Sequence, residues 1–286
     1  MPIRRFTFGH KLPVLFGLAI VLLAVGLLSS LEWNPPTAAA EPPAPDVQPV
    51  SETKALPAHH PLTEALKLAK ESRERLKDVK DFHCRFVKRD LVGGKVHAHS
   101  TEVKFRTKPM SVYMKFDQPK PGREVIYVEG QNGGKLLAHE PGLLGIVGTV
   151  ALLPTSQRAM SESRHPITEF GLEKLVDGAI AQWENEAQFA ASETKARFYP
   201  KAKLDNMECQ VIETWHPVRR RQFPFYMTRL YIDNKTLFPV RLEQYGYPAN
   251  AKANPPLIEE YTYYQIQTNL GYGDADFDPN NPNYGF

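Results

Sequence analysis

Cysteine is scarce in this sequence: only Cys84 and Cys209 occur in 286 residues. That excludes a disulfide-dense scaffold and any zinc site built on four cysteines. A charge excess is lacking too. Thirty-five basic side chains meet 32 acidic ones, for a net charge of +3, which gives no compositional case for nucleic-acid binding. Missing as well are a serine nucleophile elbow, a phosphate-binding glycine loop, a dinucleotide fingerprint and a metalloprotease helix motif. These absences weigh against an enzyme, and no cofactor is implied. Ser51-Glu-Thr-Lys54 fits a serine–lysine pattern, but it falls in a proline-rich stretch where such a match is chance.

What the sequence does have begins at its N-terminus. Arg4, Arg5 and Lys11 precede an uncharged apolar run over residues 12–31. At ~1.5 Å per residue a helix over that run spans ~30 Å, the thickness of a bilayer's hydrocarbon core. The positive flank keeps residues 1–11 in the cytoplasm and sends the rest outward. Two readings stand: a retained transmembrane signal anchor, or a signal peptide cut after Ala38-Ala39-Ala40. The run is longer than a usual signal core and the alanines lie well past its end, which favours the anchor. No cysteine follows closely, so lipid attachment there is excluded. Residues 32–60 hold seven prolines and read as an extended spacer between the membrane and an extracytoplasmic or periplasmic domain.

That domain spans residues 61–286, enough to bury a core without staples. In an exported domain an oxidising compartment favours a bridge between Cys84 and Cys209. The alternative is two separately buried thiols. Pro61 suits a helix start, and Leu62, Leu66, Ala69, Leu76 and Val79 recur at helical spacing after it. The period then changes to two, with Phe82, Cys84 and Phe86 alternating with polar neighbours. Strands follow around Val103–Phe105, Val112–Phe116 and Glu124–Glu129, separated by turn residues, as in an antiparallel meander. Residues 141–186 have helical character, with a helix start at Pro166. Strands return over Ala196–Tyr199, Glu208–Trp215, Phe225–Asp233, Pro239–Tyr245 and Ile258–Gln267. The aromatic tail Asp274–Phe286 is expected to pack on the domain's edge.

A helix ending in Leu76-Lys-Asp-Val79, then Asp81-Phe-His-Cys-Arg-Phe86 and a Gly-Gly turn, resembles the opening of the LolA and LolB lipoprotein carriers. Val103-Lys-Phe-Arg-Thr-Lys-Pro109, Gly130-Gln-Asn-Gly-Gly-Lys135 and the hairpin Leu230–Arg241 are similar to later parts of that fold. Arg164-His-Pro-Ile-Thr-Glu169 and the Asn-rich tail are more similar still to an uncharacterised LolA-like domain family. The resemblance implies an α+β, β-rich fold: an unclosed antiparallel half-barrel wrapped around helices, with an apolar cavity for acyl chains. Phe105, Met114 and Phe116 would line that cavity. Where the carriers have an arginine that contacts their lid, this chain has Lys108, which lacks the planar fork.

Three further stretches carry candidate chemistry. Leu143-Leu144-Gly-Ile146-Val147-Gly-Thr-Val150-Ala-Leu152-Leu153 is too short to span a bilayer and nearly devoid of a polar face. It reads as a lid or lining of a greasy cavity, as a membrane-touching loop, or as a core helix. Arg219-Arg220-Arg221, with Lys108, could meet lipid headgroups or an acidic partner, though a loop of arginines is more often simply solvated. His97 and His99 share one strand face, which could make half a metal site. No second pair of ligands is indicated, so they read as surface histidines on an edge strand, and no metal is expected. The leading functional reading is a non-enzymatic module that binds a membrane lipid or lipidated protein by apolar burial. A scaffold domain with a filled core and a lipid or envelope hydrolase without a motif are the alternatives.

Overall fold

The computed structural model describes residues 60–141, 148–189 and 191–286. The apolar run at 12–31, the spacer as far as residue 59, and Leu143, Leu144, Ile146 and Val147 lie outside the described residues. Among the described residues no helix is long and apolar enough to cross a membrane.

Helix α1 (Leu62–Glu74) leads into five strands: β1 (Asp81–Val92), β2 (Lys95–Arg106), β3 (Ser111–Gln118), β4 (Glu124–Val128) and β5 (Leu136–His139). A short β6 (Val150–Leu152) and helix α2 (Leu172–Glu186) come next. The chain ends with β7 (Lys195–Leu204), β8 (Met207–Trp215), β9 (Met227–Asp233), β10 (Pro239–Tyr245) and β11 (Leu257–Thr268). All eleven strands form one sheet in the order β6-β5-β4-β3-β2-β1-β11-β10-β9-β8-β7. Every pairing is antiparallel, and the end strands β6 and β7 do not join. The result is the unclosed half-barrel expected from the sequence. Gly93 and Gly94, at φ +57° and +76°, make the tight β1–β2 hairpin that only residues free of a Cβ adopt readily. The β1–β2, β3–β4, β5–β6, β8–β9 and β10–β11 connections lie along one margin of the sheet, here the upper rim.

Both helices pack on the inner face. α1 contributes Leu62, Ala65, Leu66 and Ala69, and α2 contributes Leu172, Leu175, Val176, Ala179 and Trp183. Their alternate-turn spacing is what an amphipathic helix needs to bury one stripe. Trp183 is fully buried, and its indole N–H donates to Thr214 Oγ1 at 3.0 Å, so the large ring is buried without an orphan donor. Phe82, Phe105, Phe170 and Tyr263 pack ring against ring beneath the helices.

The outer face is covered in two ways. Across β7 to β1, charges of opposite sign alternate from strand to strand: Arg197, Glu213, Arg229, Glu243, Arg241, Glu260 and Arg89 form one ladder. Each cross-strand pair of this kind is worth roughly 0.2–1 kcal/mol. Over β2 to β4 the C-terminal tail lies instead, with Phe277, Tyr284 and Phe286 packed around Tyr113, Ile126 and Val128. The tail thus covers the sheet's outer face and not its edge. Tyr284 stacks on Tyr113 at 4.0 Å, and the Gly285 N–H donates to Glu124 at 2.8 Å.

Several expectations are corrected. α2 starts at Leu172, not at Pro166, because Gly171 sits at φ +125° and breaks the path from the short 3-10 turn Ile167–Glu169. Residues 150–152 form the edge strand β6 and not a core helix. β2 lies between β1 and β3, so it is no edge strand, and His99 is buried. The cysteines are not bridged: Cys84 and Cys209 are both free and buried. Three strands lie between β1 and β8, a separation of roughly 19 Å at ~4.8 Å per strand, far beyond disulfide reach. Strand alternation also sends Cys84 into the helix-covered core and Cys209 to the opposite face, beside Leu204 and Val240. Burial raises both thiol pKa values, that of Cys209 to about 11. Mass analysis without reductant should therefore find two thiols, and a thiol reagent should modify them only after denaturation. Modification of either in the native protein would contradict this packing.

Candidate functional site

The inner face is not fully covered. Beside the helices, toward the upper rim, it encloses a cavity of about 840 Å³. Its walls follow from strand alternation, because every second residue of each strand points inward. On β1 the inward row reads Phe82, Cys84, Phe86, Lys88, Asp90; on β2 it reads Phe105, Val103, Thr101, His99; on β11, Tyr263, Tyr261, Glu259. Each row runs from apolar to polar as it approaches the upper rim, ending in charges on β1 and β11 and in His99 on β2. The cavity therefore has a greasy interior and a charged mouth.

Met114, Phe116, Val150 and Leu152 line the interior, together with Val125, Leu136 and Phe170. Phe105 lies deeper, stacked on Phe82, and borders a second cavity of about 310 Å³ that shares Phe170, Gly171 and Lys174 with the first. Lys108 is exposed in the β2–β3 turn at the opposite rim and borders neither cavity. Arg219, Arg220 and Arg221 stand in the β8–β9 connection. The same connection supplies Phe225 to the cavity wall.

The segment Pro154–Pro166, which carries the chain from β6 toward α2, crosses the mouth and is held there by charges. Lys88 donates to Ser163 Oγ at 2.5 Å, to the Glu162 carbonyl at 3.1 Å and to Asp90 at 3.1 Å. The Arg164 guanidinium donates to Glu259 at 2.6 Å and its backbone N–H donates to Asp90 at 3.2 Å. The Tyr261 hydroxyl donates to Asp90 at 2.6 Å. On the other side Glu162 accepts from Lys120 at 3.0 Å and also meets Arg123 and His99.

The electrostatics follow from that geometry. Burial by itself would raise the Glu162 pKa, but Lys120, Arg123 and His99 bring it down to about 2. Burial and the nearby Lys88 charge lower His99 to about 4, so its imidazole is neutral at pH 7. Burial lowers Lys88 against the opposing pull of Asp90. His165 goes the other way: its hydrogen bond to Glu259, helped by Glu169, raises it to about 9. It is a cation at neutral pH, with a carboxylate on each ring nitrogen. No group of three or more metal-ligating side chains occurs among the described residues.

Of this mouth, Arg164-His-Pro-Ile-Thr-Glu169 stood out in the sequence, and His99 did so only as a surface histidine. Lys88, Asp90, Glu162, Glu259 and Tyr261 did not. The available signal was the change from apolar to charged along the inward row of β1, which ordinary strand patterning assigns to a strand leaving the core.

The family model described as "Protein of unknown function (DUF1571)" matches residues 79–286. No curated protein matches the chain. Among solved structures, the chain is similar to the lipoprotein LppX of Mycobacterium tuberculosis at 13% identity and a TM-score of 0.41, covering 72% of this chain and 98% of that one. It is similar to the MucA/MucB complex of Pseudomonas aeruginosa at 14% identity and a TM-score of 0.41, covering 76% and 61% of the two chains. It is also similar to a LolA superfamily protein from Nitrosomonas europaea at 10% identity and a TM-score of 0.30, covering 75% and 97%.

The raised pKa of His165 makes stability pH-dependent. A group whose pKa is raised on folding contributes fully below its unfolded value, near 6.5, and loses that contribution as pH climbs through about 9. The urea midpoint of the native chain should fall across that window, and His165→Gln should flatten this part of the profile. An unchanged slope in the variant would show that His165 is not the titrating group.

Proposed function

We propose that the chain, which belongs to the DUF1571 family, holds the acyl chain of a lipid or of a lipidated protein in its half-barrel cavity. The observation that carries this reading is the cavity of about 840 Å³, apolar inside and charged at its mouth. That size lies within the usual range for small-molecule sites of ~300–1,000 Å³. Burying an acyl chain there releases ~0.8 kcal/mol per CH₂ group, so apolar burial suffices as the binding force and no bond chemistry is required. The charges at the mouth keep a polar headgroup at the water boundary. A domain whose core was wholly filled by its own side chains would have no such space, which is what favours a binding module over a passive scaffold.

In this reading the domain works outside the cytoplasm. The apolar run at 12–31 stays in the membrane as its anchor and residues 32–60 serve as the tether. The N-terminal mass of the mature chain tests that part, since a start at Glu41 would mean release.

Organic extraction of the purified protein followed by mass spectrometry should recover a co-purifying amphiphile. Met114→Trp fills the cavity interior with apolar volume and should reduce the retained amount at least tenfold while leaving the unfolding midpoint within a few degrees. Native protein that neither carries an amphiphile nor takes up a fluorescent fatty acid would overturn the proposal.

A further inference from the structure

Four of the upper-rim connections have a one-sided composition. Residues 93–94, 119–123, 216–226 and 246–256 hold six cations, Lys120, Arg123, Arg219, Arg220, Arg221 and Lys252, and Lys95 follows as the first residue of β2, for seven in all. These four hold no aspartate or glutamate; the fifth upper-rim connection, 140–149, holds Glu140 and no cation. The opposite rim is mixed. Its connections at 107–110, 129–135, 205–206 and 234–238 hold Lys108, Lys135 and Lys235 against Glu129 and Asp205. Chain composition is nearly balanced, so the asymmetry lies in how the fold distributes its charges.

Some of the seven are partnered from elsewhere. Lys120 and Arg123 engage Glu162, Arg123 also meets Glu140, and Arg220 meets Glu193 at 3.3 Å. Arg219 lies over the Tyr247 ring. Lys95, Arg221 and Lys252 are exposed and pair with no carboxylate among the described residues. Two large apolar side chains stand out beside these cations: Val96 next to Lys95, 49% exposed, and Val218 next to Arg219, 48% exposed.

The chain also enters the domain at this rim. His60, just before α1, is buried and meets the backbone of Phe189. Phe189 packs edge-on against Phe223 at 5.6 Å, and Phe223 stands two residues beyond Arg221. The described chain therefore begins, at His60, on the basic side of the domain. The cavity mouth opens on that side as well.

We propose that the upper rim docks on a bilayer surface rich in anionic lipid, with the cavity mouth facing the membrane. The cations supply attraction to the headgroup layer, and Val96 and Val218 enter its shallow apolar boundary. Each basic residue near such a surface strengthens association about fivefold, and salt screens the effect. This inference rests on rim composition and holds whether or not the cavity carries a ligand.

The test uses the full chain with vesicles of phosphatidylcholine alone and of phosphatidylcholine with phosphatidylglycerol. An environment-sensitive fluorophore is attached at Val218→Cys, at Val96→Cys or, as the opposite-rim control, at Lys235→Cys. The native thiols are buried and stay unlabelled. The Val218 and Val96 probes should shift to an apolar signal only with phosphatidylglycerol, and lose it at high salt. The Lys235 probe should not change. Reversing the three unpaired cations (Lys95→Glu, Arg221→Glu, Lys252→Glu) should weaken the response by at least roughly a hundredfold with the unfolding midpoint preserved. Equal signals on both lipid compositions, equal signals at both rims, or no shift at all would overturn the proposal. So would a rim that ignores anionic vesicles and captures polyglutamate, which would assign the face to an acidic polypeptide. Failure here with an amphiphile still recovered by extraction leaves the cavity reading standing; the reverse pair of results separates them the other way.

Discussion

An open antiparallel sheet directs every second side chain of every strand to its concave face, and that face must be kept from water. Here, among the described residues, eleven strands curve around two α-helices, of 13 and 15 residues. At ~1.5 Å per residue neither helix is longer than roughly 23 Å. They cover the part of the face lined by Phe82, Cys84, Val103 and Ile212, where the core is dense. Toward the upper rim the helices no longer fill the curve. There the inward rows turn from Phe and Val to Lys88, Asp90, His99 and Glu259, and a strap of chain bridges the gap through ion pairs. Cavity, charged mouth and strap are thus three results of one mismatch between the area of a curved sheet and the reach of two short helices.

The charges at the mouth are buried deeply enough that pairing is obligatory. Asp90 and Glu259 are almost wholly buried, and each accepts hydrogen bonds from more than one donor. Leaving either unpaired would cost several kcal/mol, because a buried charge without a partner is far worse than the pair. The outer face solves a milder problem. Its ladder from Arg197 to Arg89 places long aliphatic stems over the strands while the charged heads satisfy one another. It turns a two-sided sheet into a one-sided one without a second layer of helices.

Much of the fold was legible because alternation and turn chemistry are local. The Gly93-Gly94 hairpin, the β9–β10 hairpin around Asn234-Lys235 and the strand at Pro239–Tyr245 all read directly from residue type. The helix at α2 was misplaced by six residues because Pro166 is a local helix signal, whereas the left-handed Gly171 that overrides it is set by close packing on Phe105. The cysteine bridge failed for a related reason: strand parity was readable for each cysteine, but the number of strands between β1 and β8 is a property of topology alone. Of the cavity lining, Met114 and Phe116 were legible as a greasy strand face, whereas Val150 and Leu152 read only as part of an apolar segment whose strand β6 was not foreseen. The polar mouth was not, since Lys88, Glu162 and Glu259 lie far apart in sequence and look like solvated charges until the sheet curls them together.

A half-barrel that does not close keeps two strand edges, each a row of unpaired backbone groups able to recruit another strand. β6 limits its exposure by being only three residues long. β7 has ten residues and cannot rely on brevity. It instead carries Lys195, Arg197, Lys201 and Lys203 as exposed cations, and Pro200 at a break in its pairing with β8. A strand from another copy would have to accept that row of like charges and a position with no N–H to offer. The same openness that leaves room for a cavity would otherwise invite the sheet to grow, and β7 is built as its terminus.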